Sequence, residues 1–185
     1  MRRLLLALTL LTACAPKSPK ALYERDADDA TRELTIYSEF TTALLLRGTL
    51  LTPEFRDTMS DYREALLEPL PDNQARFESR MTDDAQAYHE VVFSADSAMP
   101  GKLRFGPGDD RWNVRLTADG TVEPLVTVYP VRRPTPLHYG MYPHLNQWSE
   151  LYIARFHRTV ETPEEVVFHV GSGHGHGELV WSDAP

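Results

Sequence analysis

The placement of glycine, histidine and proline does most to limit what this chain can fold into. Of ten glycines, only Gly48 precedes position 100, and of seven histidines only His89 does. Proline is absent from Ala21 to Thr52. Turn chemistry is therefore concentrated in the second half and helix-compatible sequence in the first. A division near Met99-Pro100 predicts an α+β architecture. A helical front segment of two or three helices (residues 21–90) is followed by an antiparallel β-sandwich or strongly curled sheet (residues 91–185). The 185 residues suit one domain with an appendage, and the 42% hydrophobic content is enough for a core.

In the front segment Leu34, Tyr37, Leu44 and Leu45 share one helical stripe, flanked by Ile36, Phe40 and Ala43, and Gly48 caps its end. Thr52-Pro53 reads as an N-cap hydroxyl followed by a first-turn proline. Phe55, Met59, Tyr62 and Leu66 then recur at helical spacing until Pro69 and Pro71 end the pattern. Asp72 is the expected cap of a third helix that buries Phe77, Met81, Ala85 and Tyr88. The acidic groups at Asp26, Asp28 and Asp29, and at Asp83 and Asp84, read as charges favoured near helix starts.

From Val91 onward the period becomes that of strands. Val91 to Phe93, Lys102 to Phe105 and Arg111 to Leu116 are candidates, and Asp119-Gly120 supplies a hairpin turn before Val122 to Val128. Asp109-Asp110 lies in an expected turn. Between Trp148 and Val160, Leu151 and Ile153 fall on one face and Tyr152, Ala154 and Phe156 on the other, which predicts a strand covered on both sides. Glu165 to Val170 and Glu178 to Ser182 make a last hairpin around Gly171 to Gly177. Trp112, Trp148 and Trp181 read as core anchors.

The first residues specify location. Met1-Arg2-Arg3 is cationic, Leu4 to Leu11 is apolar apart from Thr9, and Thr12-Ala13 precedes Cys14, the single cysteine of the chain. A cationic start, a short apolar run and small residues form a secretory signal, here residues 1–13. Leu11-Thr12-Ala13-Cys14 resembles the lipobox of bacterial lipoproteins, whose cysteine becomes the lipidated first residue of the mature chain. The resemblance covers about 14 residues and implies acyl chains on Cys14, two or more being what stable anchoring requires. It implies a place in the bacterial cell envelope, with the lipid bilayer as first partner and the domain facing the periplasm. Ala15, standing where an aspartate would retain the chain at the inner membrane, favours the outer membrane. Residues 14–20 then form a lipidated tether. Loss of Arg2 and Arg3 with the leader takes the net charge from −8 to −10. Such acidity excludes nucleic acid as a natural partner. One cysteine excludes both an intrachain disulfide and a cysteine-based zinc cluster.

Few residues carry chemistry. His174 and His176, on the glycine-rich run Gly171-Ser172-Gly173-His174-Gly175-His176-Gly177, could reach one metal ion, with His169 across the hairpin. Neutral imidazole suits copper, nickel or zinc. Met141 and His144 are further ligands if the loops meet. Ser172 has glycines directly beside it rather than two residues away, so it does not match the nucleophile elbow of a hydrolase. No other nucleophile–base or paired-carboxylate arrangement is assignable, so no catalytic residue is expected. The loop from Pro130 to Trp148, stiffened by prolines and carrying Arg132, Arg133, Tyr139 and Tyr142, reads as a binding surface or as a cover for the sheet. The leading expectation is a non-enzymatic binding or structural module that holds another envelope protein through this loop. A divalent transition-metal lipoprotein is the alternative and a hydrolase a distant one.

Overall fold

The computed structural model describes residues 18–98, 103–106 and 112–182. The leader, Cys14 and Asp109-Asp110 lie outside the described residues. Helix α1 (Pro19–Ala30) is followed by strands β1 (Thr31–Ser38) and β2 (Thr41–Leu50), then α2 (Pro53–Leu67), α3 (Pro71–Ala87) and β3 (Tyr88–Asp96). Strands β4 (Asn113–Ala118), β5 (Thr121–Glu123) and β6 (Leu125–Pro130) precede the short α4 (Pro136–Met141). The chain ends in β7 (Glu150–His157), β8 (Glu165–Ser172) and β9 (Gly175–Ser182). The fold is α+β with two antiparallel sheets, ordered β1-β2-β3-β7-β6 and β5-β4-β8-β9.

Two cores result. Leu44, Leu46, Phe93, Ala154 and Phe156 of the five-stranded sheet share one buried cluster with Leu116, Phe168, Leu179 and Trp181 of the four-stranded sheet. On its other face the five-stranded sheet presents Val92 and Leu151 to Tyr23, Phe55 and Met59 of α1 and α2, and to Met141 and Leu145 of the α4 segment. Strand β7 is therefore covered on both sides, as its two apolar faces predict, with Leu151 and Ile153 toward the helices and Ala154 and Phe156 between the sheets.

The expected helix across Leu34 to Leu45 is instead the β1–β2 hairpin. Its turn is carried by Glu39, whose φ of 55° is left-handed, and its tip exposes Tyr37 and Phe40. The run Ala43-Leu44-Leu45-Leu46 puts Ala43, Leu44 and Leu46 into the core between the sheets, and four successive apolar residues lack the period-2 alternation that marks a strand. The threonines at 31, 35, 41, 42 and 49 and Ile36 were the counter-signal, since β-branched side chains favour the pleated surface. Gly48 is consequently a strand residue, not a helix cap. Of the residues expected as tether, Pro19 and Lys20 belong to α1 and Ser18 caps it, accepting from the Ala21 amide at 3.2 Å, while residues 14–17 lie outside the described residues.

Thr52 caps α2 as expected, accepting from the Phe55 amide at 3.1 Å. Leu70, not Asp72, is the N-cap of α3. Asp26, Asp28 and Asp29 fall in the second half of α1, and Asp83 and Asp84 near the end of α3, where the helix dipole disfavours them. Specific partners hold two of them: Thr58 Oγ1 donates to Asp26 at 2.8 Å and Arg155 to Asp84 at 3.0 Å. Asp119-Gly120 turns the β4–β5 hairpin with positive φ at both residues. The single strand expected from Val122 to Val128 is two strands, because Pro124 cannot donate to a ladder and marks where the chain passes from one sheet to the other. Phe105 makes an isolated bridge to Trp112 rather than a named strand. Trp112 and Trp181 are core residues, but Trp148 is 80% exposed and precedes β7.

Candidate functional site

The glycine–histidine segment is a tight hairpin in which β8 and β9 pair up to Ser172 and Gly175, leaving only Gly173-His174 as turn. His169 and His176 alternate with the buried Phe168, Val170 and Leu179, so both occupy the outer face of the four-stranded sheet. Both ring nitrogens of His169 are engaged, Nδ1 at 2.9 Å from Glu178 Oε1 and Nε2 at 3.1 Å from Thr117 Oγ1. His174 lies at the turn with its ring 6.3 Å from that of Trp112. Among the described residues no group of three or more His, Cys, Asp or Glu is placed to hold a metal ion. Met141 and His144 do not join the hairpin: they belong to the helix side of the five-stranded sheet, with Met141 buried in that core. The Ser172 hydroxyl accepts from the His174 amide at 3.0 Å, a turn-stabilising bond.

The glycines have a different purpose. A Cβ on Gly177 would lie 2.5 Å from Leu34 Cδ1, and one on Gly48 would lie 2.6 Å from Leu179 Cδ1. Gly175 combines φ of 142° with a Cβ position 2.7 Å from Ile36 Cγ2. Strand β9 thus passes so close to β1 and β2 that side chains at these positions would collide. Close packing of strands, rather than loop freedom, accounts for three of these glycines.

The loop after β6 is divided in its roles. Its Val131 amide donates to the Leu151 carbonyl at 2.7 Å, and Met141 and Leu145 sink into the helix-side core. Tyr142 is half-buried, and burial pushes its phenol far above the usual range. Its ring packs against the helix-side core. Buried Tyr23 donates its hydroxyl to the Met141 carbonyl and stacks on Tyr62 at 4.4 Å, fixing the segment to α1 and α2. Arg132, Arg133 and Tyr139 remain exposed, as does Trp148 at the end of the loop.

A cleft of about 600 Å³ opens at the start of this loop. Arg132 and Pro134 form one side, Arg104 another, and Glu150 and Tyr152 of β7 line it as well. The Tyr152 hydroxyl donates to Glu150 at 2.6 Å, and burial followed by that carboxylate pushes the phenol up. Two exposed guanidiniums beside one carboxylate give the opening a cationic bias on an otherwise acidic chain. That arrangement suits a ligand bearing carboxylate or phosphate groups.

Sequence reasoning missed the ionic layer between helices and sheet. Arg155 reaches from β7 to Glu90 at 2.5 Å and to Asp84 at 3.0 Å. Arg56, only 2% exposed, donates through Nε to the Leu51 carbonyl at 3.3 Å, while its buried Nη2 has no partner among the described residues. Burial lowers its affinity for the proton, and Glu90 and Asp84 oppose that shift. A second such group is Glu123, 1% exposed, which accepts from the Thr159 amide and hydroxyl and from the Val160 amide at 2.7–2.9 Å. Neighbouring His89 is held below its usual value by burial, then by Arg158. No spacing motif announces these groups; only their position among apolar neighbours in strands could have suggested that they are buried. No protein-family model matches the chain, and no curated protein is significantly similar to it.

Proposed function

We propose that the protein is a lipid-anchored bacterial envelope lipoprotein whose folded domain is a non-enzymatic binding module. The observation that carries this is Leu11-Thr12-Ala13-Cys14 behind a cationic, apolar leader. Acylation of Cys14 is the means of attachment that this motif supplies. The outer membrane, periplasmic side, is the location that Ala15 favours. Within the domain the two sheets stack face to face as a β-sandwich, a reading supported by the one buried cluster they share.

The binding surface is the cleft bordered by Arg104 and Arg132, extended by Arg133 and by exposed Trp148. Its partner is an envelope protein presenting acidic groups, because arginine with a neighbouring aromatic is the pairing that anchors such contacts. Arg132→Ala/Arg133→Ala and Trp148→Ala variants test this. Each alters exposed side chains, so the fold should persist while crosslinking of the anchored protein to its partner is lost. Unchanged crosslinking in all these variants would place recognition elsewhere.

A further inference from the structure

The entry of the chain into the domain coincides with an exposed apolar turn. Helices α1 and α2 pack antiparallel: Tyr23 stacks on Tyr62, and Asp26 accepts from Thr58. One turn back from Tyr23 is Pro19, and one turn on from Tyr62 is Leu66, so the start of α1 lies level with the end of α2. Cys14 precedes Ser18 by four residues. An extended chain covers at most about 3.6 Å per residue, so the sulfur-bearing residue is held within roughly 14 Å of Ser18.

At that end of α2 the chain turns through Glu68, whose φ is 45°, and exposes three leucines in five residues. Leu66 and Leu67 are each 46% exposed and Leu70 is 71% exposed. Helix α4 adds exposed Tyr139, and its next residue, Gly140, abuts Leu66: a Cβ there would be 3.6 Å from Leu66 Cδ2. Leucine enters hydrocarbon and tyrosine settles at the headgroup level, so the group has the composition of an interfacial contact. A short tether supplies the high local concentration that lets a small apolar contact form.

We propose that the Leu66–Leu67–Leu70 turn, with Tyr139 beside it, rests on the bilayer that holds the acylated Cys14. This rests on the reading that Cys14 is lipidated. The domain then lies against the membrane at the α2–α3 turn, which fixes its orientation.

The test uses the full-length protein in cell membranes, with a benzophenone amino acid placed at Leu70 or, as control, at Val122, an exposed residue of the other sheet. Irradiation should give phospholipid adducts at position 70, in at least several-fold excess over position 122. Mass analysis of the N-terminal peptide from the same sample reports acylation. Acylated Cys14 with equal lipid labelling at both positions, or with only protein adducts at position 70, overturns this proposal and leaves the lipoprotein reading standing. Unacylated Cys14 overturns both.

Discussion

Replacing Gly177 by alanine should destabilise the protein, whereas the same change at Gly171, in the same hairpin, should not. A Cβ at position 177 would meet Leu34 Cδ1, Cδ2 and Cγ at 2.5, 2.9 and 3.2 Å. Comfortable carbon contacts begin near 3.5 Å, so either Leu34 leaves its rotamer or β9 moves away from β1. Such overpacking costs about 1–3 kcal/mol. Removing glycine freedom from the unfolded chain returns about 0.4–1 kcal/mol, leaving a net loss of up to about 2.6 kcal/mol. At Gly171 the new methyl would sit 3.7 Å from His176 Cβ, an ordinary contact, so only the favourable contribution remains. Urea unfolding of the purified protein reads the difference as a midpoint that falls for Gly177→Ala and holds or rises for Gly171→Ala, at unchanged slope. Equal shifts in the two variants would refute the claim that close strand packing selects Gly177.

Three other outcomes follow from buried groups. Burial, then the charge of Arg47, holds the His144 imidazole at about 4, against an ordinary value near 6.5. Between those values the unfolded chain binds a proton that the folded one refuses. This stability is therefore present above pH 6.5 and lost on acidification, by up to about 3 kcal/mol. Burial and then Arg158 shift His89 the same way; His144→Gln should reduce the loss in unfolding midpoint between pH 7 and pH 4.5, and an unchanged loss contradicts it. Glu123→Ala leaves three donors without their acceptor and should cost about 3–5 kcal/mol, measurable as a large fall in midpoint; exposed Glu24→Ala should change it little. Trp181→Ala removes a buried ring and its bond to the Ala30 carbonyl at 2.7 Å, costing about 3–5 kcal/mol, while Trp148→Ala should stay within about 0.5 kcal/mol. Similar unfolding midpoints for the two tryptophan variants would contradict these placements.

The sequence was most legible where local chemistry and tertiary context agree. Thr52-Pro53 starts a helix, Asp119-Gly120 turns a hairpin, and the two apolar faces of β7 correspond to cores on both sides. It misled where four successive apolar residues hid the alternation of β2, and where Pro124 divided one apparent strand between two sheets. The candidate site was legible only in part. Arg132, Arg133 and Tyr139 are exposed, whereas half-buried Tyr142 packs against the helix-side core. Glycines in the histidine hairpin suggested freedom, whereas Gly175 and Gly177 answer to side chains of β1 about 140 residues earlier in the chain, which no local pattern encodes. Arg104 joins the cleft in the same way, lining one opening with Arg132 although 28 residues separate them in the chain.

The central claim concerns Cys14, and the intact mass of the membrane-extracted protein tests it most directly. A chain beginning at Cys14 and carrying a diacylglyceryl group, with acylation and membrane fractionation both lost in Cys14→Ala, is the predicted result. A mature chain that begins elsewhere without lipid, or a Cys14→Ala protein that still fractionates normally with the membrane, would contradict it.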